Sequence, residues 1–169
     1  YYDLLASEAR LGSFIAIARG EVPADHWFAM SRPYGSTARR QVLLSWTGTM
    51  FEYLMPLLFQ RSYPHALLDE AMRGAVAAQV DFGRAHGVPW GISESASADL
   101  DVNKTYQYRA FGVPSLGLKQ GLTDQIVVAP YATLLAVSTA PRESLENLAR
   151  LIGLGMLVFG SLLYNAMEK

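Results

Sequence analysis

Glu94 is the residue whose neighbours in the sequence best suit bond-breaking chemistry. It stands in the run Trp90-Gly91-Ile92-Ser93-Glu94-Ser95, close to an aromatic ring and between two hydroxyls. A carboxylic acid beside an apolar wall keeps its proton more readily, and this suits a general acid. A capping or solvated glutamate is the alternative, and the local sequence leaves both interpretations open.

A second polar and aromatic cluster, Tyr106-Gln107-Tyr108-Arg109, follows in the same long loop. Flat apolar rings next to an amide and a guanidinium are the mixture that a sugar requires, since sugars have apolar faces and hydroxyl edges. The alternative is a buried aromatic plug in which Arg109 pairs with one of three acids, Asp99, Asp101 or Asp124. We therefore expect either a sugar-binding surface shared with Glu94 or a structural plug.

Glu52 is the single charged residue of an otherwise apolar helical stretch. It is either a buried, hydrogen-bonded carboxylate or a site residue that points into a cleft. We favour burial and keep Glu52 among the candidate substrate-binding residues.

Other site chemistries find little support. Residues 91–95 approach the G-x-S-x-G serine elbow but lack its final glycine and the strand that must precede it. The three histidines are scattered, and Asp99 and Asp101 lack the glycine and distal glutamate of a calcium loop. The chain has no cysteine and no glycine-rich phosphate loop. We therefore expect no metal and no cofactor.

The composition describes one apolar domain. Of the 169 residues, 51% are hydrophobic and 17% are charged, and the net charge is −1. A charged share below the usual value of about 25% excludes disorder, and the balanced charge excludes a nucleic-acid footprint. We treat residues 1–169 as a single domain.

The apolar periodicity predicts helices. The first begins near Leu4 and ends before Gly20, and the second covers residues 47–59 with Ser45 or Thr47 as its N-cap. The third has Pro64 at its first position and Gly87 as its C-cap. We place a fourth helix at residues 125–137, capped by Asp124 and kinked at Pro130, and a fifth that begins at Ala140-Pro141 with an apolar face of Leu145, Leu148 and Leu151.

Residues 21–41 and 88–123 are predicted to be loops. We find no β-hairpin alternation in the sequence, so the expected class is all-α, with antiparallel helix pairs. The longest uncharged stretch, residues 151–167, is at the lower length limit for a membrane span and is diluted by glycines. A buried helix or loop is the preferred interpretation of that stretch.

Five segments of this sequence together resemble the glycoamylase-like domain of cyclic β-1,2-glucan synthases, to which a domain of endo-β-1,2-glucanases is similar. In chain order the segments are residues 2–11, 44–56, 88–95, 106–114 and 127–133. The resemblance runs to about residue 150 and covers about half of the family's domain.

The resemblance implies an (α/α)6 toroid with a glucan cleft at one end of its helices. Helix pairs of about 40–47 residues would need about 240–280 residues for a full ring. We therefore expect a partial toroid, either a fragment that lacks the first and last helical hairpins or one unusually truncated member of the family. An open ring would expose apolar helix faces, so self-association is a further expectation.

The resemblance also assigns roles. It implies that Glu94 is the acid/base carboxylate, that Tyr106, Gln107 and Arg109 line glucan subsites, and that Trp90 is a stacking wall beside Ser93. The family's second carboxylate would align with Asn165, and an amide cannot form the glycosyl-enzyme ester of a retaining mechanism.

The function implied is transglycosylation, cyclisation or hydrolysis of β-1,2-glucan within a cyclic β-1,2-glucan synthase. Its partners would be the glucan and the other domains of a membrane-anchored bacterial protein, with this segment on the cytoplasmic side of the inner membrane. The alternative is a non-catalytic helical module that binds glucan or packs within a larger synthase.

Overall fold

Helices dominate the part of the chain that the computed structural model describes, which is residues 3–37, 41–100, 102–104, 106–109, 111–119, 121 and 126–156. Within it lie six α-helices: α1 (Ala9–Ala18), α2 (Asp25–Ala29), α3 (Met50–Leu54), α4 (Leu67–Ala85), α5 (Pro130–Leu135) and α6 (Pro141–Gly153). Three short 3₁₀ helices are Met55–Leu58, Pro114–Leu116 and Ala136–Ser138. Consecutive helices pack in pairs, α1 on α2, α3 on α4 and α5 on α6. The helical character predicted from the sequence is confirmed at this level, while the toroid stays a prediction.

Two antiparallel hairpins correct the all-α expectation. Strand β1 (Tyr34–Ser36) pairs with β2 (Gln41–Leu43), and β3 (Ser95–Leu100) pairs with β4 (Tyr106–Arg109). The strands have three to six residues, too few for a period-two pattern to be visible. β3 also contains no β-branched residue and one aspartate, so its composition does not suggest a strand.

The helix predicted at residues 47–59 is shorter than expected. α3 begins after the N-cap Thr49 and ends at Leu54, and a 3₁₀ helix follows over Met55–Leu58. Pro56 has no N–H to donate into an α-helical turn, so the tighter 3₁₀ form follows. Thr49, and not Ser45 or Thr47, is the cap because Thr49 and Glu52 form a reciprocal capping box.

α4 begins three residues later than predicted from Pro64. Its N-cap is Ala66, and Asp69 near the first turn accepts hydrogen bonds from Ser62 Oγ at 3.1 Å and from the His65 N–H at 3.2 Å. These bonds hold residues 62–65 as a turn. The predicted end of the helix is confirmed, since Gly87 has the left-handed φ of +69° that a helix-terminating glycine adopts.

Pro130 begins α5 instead of kinking it. Residues 126–129 are non-helical, and Val128 forms an antiparallel bridge with Ile92. A proline at the first helical position loses no hydrogen bond, because that N–H has no partner within the helix. The predicted cap Asp124 and the start at Gln125 lie outside the described residues. Pro141 likewise begins α6, as predicted.

The core lies where α3, α4, α5 and α6 meet the segments between them. Its fully buried side chains include Met50, Leu54, Ala75, Leu116 and Leu151. The first helix is shorter than expected: Leu4 and Leu5 are buried ahead of α1, and Leu4 forms a parallel bridge with Ser31. On α6, Leu151 is buried and Leu148 half-buried, whereas Leu145 is 62% exposed.

Large apolar side chains also lie on the described surface. Phe28 is 74% exposed and Phe59 is 70% exposed, on α2 and directly after the first 3₁₀ helix. Among the helices of the described residues, none has the length and apolar character needed to cross a membrane.

Candidate active site around Glu94

The main chain leading to Glu94 is held by side chains of the surrounding helices. At Trp90, the Asn147 amide on α6 accepts the backbone N–H at 3.1 Å and donates to the carbonyl at 2.8 Å. The same amide donates to Thr133 Oγ1 on α5 at 2.8 Å. One buried side chain thus satisfies both main-chain polar groups of Trp90 and connects α5 and α6 at this residue.

Ile92, two residues further on, is held in the same way by α4. The Gln79 amide donates to the Ile92 carbonyl at 2.8 Å and accepts the Ile92 N–H at 2.7 Å. Gln79 is fully buried, so these bonds are sheltered from water. Val128 on the other side completes a β-bridge to Ile92.

Glu94, two residues further again, is held through its carbonyl oxygen. The Tyr131 hydroxyl on α5 donates to this oxygen at 2.9 Å and lies 2.9 Å from Ser93 Oγ. Ser93 Oγ in turn accepts the Phe51 N–H of α3 at 3.0 Å. Positions 90, 92 and 94 are therefore each fixed by a side chain of a different helix.

The Glu94 side chain is half-buried at the end of this segment, and strand β3 begins at the next residue. Ser95 pairs with Arg109 in the antiparallel register, and Ala96 pairs with Tyr108. Directly opposed residues of such a pair have Cα atoms about 4.5–5.5 Å apart. The two clusters recognised in the sequence are thus brought together by one hairpin at the level of the main chain. The side chains of Tyr106, Gln107 and Arg109 lie outside what the structure describes.

Glu52 is completely buried, as the favoured interpretation predicted. Among the described residues, its carboxylate accepts hydrogen bonds from groups of the preceding loop: the hydroxyls of Ser45, Thr47 and Thr49 and the backbone N–H groups of Trp46, Thr47 and Thr49, at 2.8–3.3 Å. The loop wraps around the charge and satisfies it. In this structure no part of Glu52 is open to a ligand, so the burial speaks for a structural role. Its assignment as a substrate-binding residue stays a prediction.

Two further substrate-binding candidates are also buried. Trp90 is 6% exposed, which leaves no open ring face for a sugar, and Ser93 is fully buried with its hydroxyl engaged by Phe51 and Tyr131. In this structure both residues shape the segment before Glu94, and their roles as substrate-binding residues stay predictions.

A buried arginine supports the other end of α3. Arg10 is 2% exposed, and its guanidinium donates to the carbonyls of Glu52 at 3.3 Å and Tyr53 at 2.6 Å. Burial lowers the pKa of Arg10 to about 10, while the charge of Glu8 opposes this shift. Burial also raises the pKa of Tyr53, whose hydroxyl lies 2.7 Å from the Leu43 carbonyl.

No metal chemistry suggests itself here. The described residues contain no group of three or more histidines and carboxylates able to hold an ion.

A groove of about 530 Å³ runs between α4 and the start of α6, but neither Glu94 nor Tyr131 lines it. The position of Asn165, aligned with the family's second carboxylate, lies outside the described residues.

The residues that hold the segment were missed by the sequence analysis. Gln79 and Asn147 both interrupt the buried faces of amphipathic helices, Gln79 after Met72 and Val76, and Asn147 before Leu151. A polar residue in such a stripe is a signal for a buried amide with main-chain partners. Tyr131 gave no comparable signal.

Comparison with known proteins identifies the class. The family model described as "Putative glucoamylase" matches residues 1–166, so the chain belongs to the Glycoamylase family. This confirms the resemblance to a glycoamylase-like domain.

One relative is close in sequence. The chain is 49% identical over 156 residues to the cyclic beta-(1,2)-glucan synthase NdvB of Rhizobium meliloti (strain 1021). The similarity covers 92% of this chain and 6% of the relative. The chain therefore spans only a small part of the length of this relative.

Proposed function

We propose that this chain supplies the acid/base carboxylate, Glu94, of a domain that breaks and re-forms β-1,2-glucosidic bonds. One observation carries the proposal: Glu94 is half-buried at the end of a segment whose main chain is fixed at positions 90, 92 and 94. Catalytic groups need such fixed geometry, since small displacements cost large factors in rate. The similarity to a cyclic glucan synthase supports glucan as the substrate class.

Glu94 would act twice in each turnover. Protonated, it gives its proton to the glycosidic oxygen as the bond to the anomeric carbon breaks, so that the departing glucan leaves as a neutral alcohol. As a carboxylate, it then takes the proton from the hydroxyl that attacks the anomeric carbon. If that hydroxyl belongs to a sugar, the product is a transglycosylated or cyclic glucan. If water attacks instead, the glucan is hydrolysed.

A retaining reaction also needs a second carboxylate, about 5–5.5 Å away, as the nucleophile. Asn165 cannot take this role, because a carboxamide does not form the glycosyl ester. We infer that another part of the parent domain provides the nucleophile, and that the domain extends over more helices of a toroid.

The glucan would lie along the β3–β4 hairpin. Tyr106, Gln107 and Arg109 belong to β4, which is paired with the strand that follows Glu94 directly. Aromatic rings would stack on the pyranose faces, while the amide and the guanidinium would bind ring hydroxyls. The parent protein would be a membrane-anchored bacterial synthase with this segment on the cytoplasmic side.

The experiment places this chain in its complete parent domain, which supplies the nucleophile, and compares it with Glu94→Gln and, as the matched control, with Glu21→Gln. Glu21 is an exposed glutamate that pairs with Arg19 on the surface. The substrate is linear β-1,2-glucan; reducing-sugar release reports hydrolysis, and mass spectrometry of the products reports cyclic or lengthened chains. We expect Glu94→Gln to lose at least about 100-fold in rate, as general acid–base catalysis contributes about 10²–10⁴.

Other results would point elsewhere. Equal activity of Glu94→Gln and the control would exclude Glu94 as the acid/base group. Glucan binding without turnover by the unchanged chain, measured by titration calorimetry, would favour the alternative of a non-catalytic glucan-binding module. Neither binding nor turnover would favour a structural module that packs within a larger synthase.

A further inference from the structure

Three hydrogen bonds in series connect α3 to the peptide unit of Glu94. The Phe51 N–H lies 3.0 Å from Ser93 Oγ, Ser93 Oγ lies 2.9 Å from Tyr131 Oη, and Tyr131 Oη lies 2.9 Å from the Glu94 carbonyl oxygen. The series crosses from α3 through the 90–94 segment to α5 and returns to the segment one residue later.

The chemistry of the groups fixes the direction of this series. A backbone N–H only donates and a carbonyl oxygen only accepts, and each hydroxyl has one proton. The Tyr131 proton therefore points to the Glu94 carbonyl, and the Ser93 proton points to Tyr131. All three bonds run the same way, and bonds arranged so polarise and strengthen one another.

Tyr131 is the exposed member of the series. It is 37% exposed, whereas Ser93 is fully buried. The ring contacts Phe51 edge to face, with the ring centres 6.5 Å apart and the planes at 83°. Burial raises the pKa of Tyr131, and the charge of Glu94 raises it further against the hydrogen bond with Ser93. The phenol thus keeps its proton and remains a donor at neutral pH.

We propose that Tyr131 is the positioning residue for Glu94, acting through the main chain of Glu94. This inference rests on the proposed function. Without the phenol hydroxyl, the carbonyl of Glu94 loses this donor, and the peptide unit between residues 94 and 95 is held less firmly. The carboxyl group is carried by the same residue, so its placement against the glycosidic oxygen is loosened.

The variant Tyr131→Phe removes one oxygen atom and keeps the ring against Phe51. The control is Tyr63→Phe, since Tyr63 is 63% exposed and lies on the turn before α4. With linear β-1,2-glucan as substrate, we expect kcat of Tyr131→Phe to fall about 10–100-fold, the range for a misplaced catalytic group. KM should change less than about threefold, since Tyr131 acts on the chemical step through Glu94.

A second measurement does not depend on activity. The carbonyl ¹³C resonance of Glu94 reports the hydrogen bond that its oxygen accepts, and the amide proton of Phe51 reports the start of the series. Both resonances should move in Tyr131→Phe and stay in place in Tyr63→Phe.

The outcomes separate the two proposals. An active parent domain whose Tyr131→Phe variant keeps kcat within twofold of the control overturns the positioning role and leaves Glu94 as the acid/base group. If the parent domain with the unchanged chain has no activity, the proposed function fails, and unmoved resonances in Tyr131→Phe then overturn the positioning role as well. A loss of kcat with both resonances moved supports the assignment.

Discussion

Gln79 pairs with both main-chain polar groups of Ile92, as a neighbouring β-strand would. Its amide donates to the carbonyl at 2.8 Å and accepts the N–H at 2.7 Å, and it also lies 3.3 Å from the Gly91 N–H. A carboxamide has the donor and the acceptor that a peptide unit has, so one side chain of α4 replaces a strand. Through this bond the long helix fixes the segment that ends at Glu94.

Replacing Gln79 by Leu should destabilise the fold by about 2–4 kcal/mol. The substitution leaves the buried N–H groups of Gly91 and Ile92 without this acceptor, at about 1–3 kcal/mol for each unsatisfied group. The Ile92 carbonyl keeps the Met50 N–H at 3.2 Å. Urea unfolding measures the change, and Gln41→Leu on the exposed start of β2 is the control. If the urea midpoint of Gln79→Leu equals that of the control, water has replaced the amide as the hydrogen-bond partner of these groups.

Glu52→Gln should also cost about 2–4 kcal/mol. Every described partner of the Glu52 carboxylate donates a hydrogen bond to it. These partners are three hydroxyls and three backbone N–H groups. An amide places its NH₂ group against some of these donors, and it loses the charge that strengthens the remaining bonds. Thermal unfolding compares this variant with Glu21→Gln, whose site is exposed. The loop of residues 45–49 is the part of the chain that should become more protease-sensitive.

The sequence predicted helices better than it predicted the contacts between segments. Pro141 and Gly87 are local signals, and the structure begins α6 and ends α4 at these positions. Pro130 is equally local, but it was assigned to a helix interior because the extended bridge of Val128 to Ile92 has no sequence signature. The local sequence thus marks Pro130 as a special position, but the contact with Ile92, 36 positions before Val128, explains why Pro130 begins the helix and does not lie inside it.

The sequence predicted which residue of the candidate site could be catalytic, but not which side chains surround it. The segment around Glu94 stands out in the sequence, yet the side chains that fix it lie 12 to 57 positions away in the chain. The resemblance implies a stacking role for Trp90 beside Ser93, and the structure buries both side chains. Their burial depends on α5 and α6 closing over them, and that packing cannot be read from neighbouring residues.

Self-association of the chain remains a prediction. Phe28 and Phe59 are at least 70% exposed, and Leu145 and Ile152 are 62% exposed on α6. Contiguous apolar surface beyond about 300–600 Å² is unusual for a monomer. Sedimentation velocity at micromolar concentration should show species larger than 18.6 kDa, with fewer of them in a Phe28→Ser, Phe59→Ser double variant. A clean monomer that binds no hydrophobic dye would contradict this expectation.

Two glycines should respond in opposite ways to alanine. A Cβ at Gly112 would collide with the backbone carbonyl of Thr47, whereas one at Gly12 would meet nothing within 4 Å. The Thr47 carbonyl belongs to the loop around Glu52 and has little room to move, so Gly112→Ala should cost more than about 3 kcal/mol. Gly12 lies inside α1 and is exposed, so Gly12→Ala should stabilise by about 0.5–1 kcal/mol. Urea unfolding of both variants measures the sign of each change in the free energy of unfolding. A stable Gly112→Ala protein would show that the loop can shift.

Asp69 should give the fold an acid-sensitive contribution. Burial acts to raise the pKa of Asp69, but the hydrogen bonds from Arg73, His65 and Ser62 together with the charge of Arg73 lower it below 3.8. A carboxyl group with a lowered pKa binds protons less readily in the folded chain than in the unfolded chain. Its stabilisation is therefore complete above pH 3.8 and is lost as the pH falls through the lower, folded-state value.

The measurement is the free energy of unfolding of the unchanged chain and of Asp69→Asn, between pH 7 and pH 2. At pH 7 the variant should be less stable by about 1–3 kcal/mol, because an amide cannot replace the charged acceptor of the Arg73 bond at 3.0 Å. The difference should narrow only below about pH 4, since the ionised carboxylate is what the variant lacks. Asp25→Asn, on the exposed first residue of α2, is the control and should give a much smaller difference at neutral pH. A constant gap between Asp69→Asn and the unchanged chain down to pH 2 would mean that Asp69 stabilises the start of α4 by shape and not by charge.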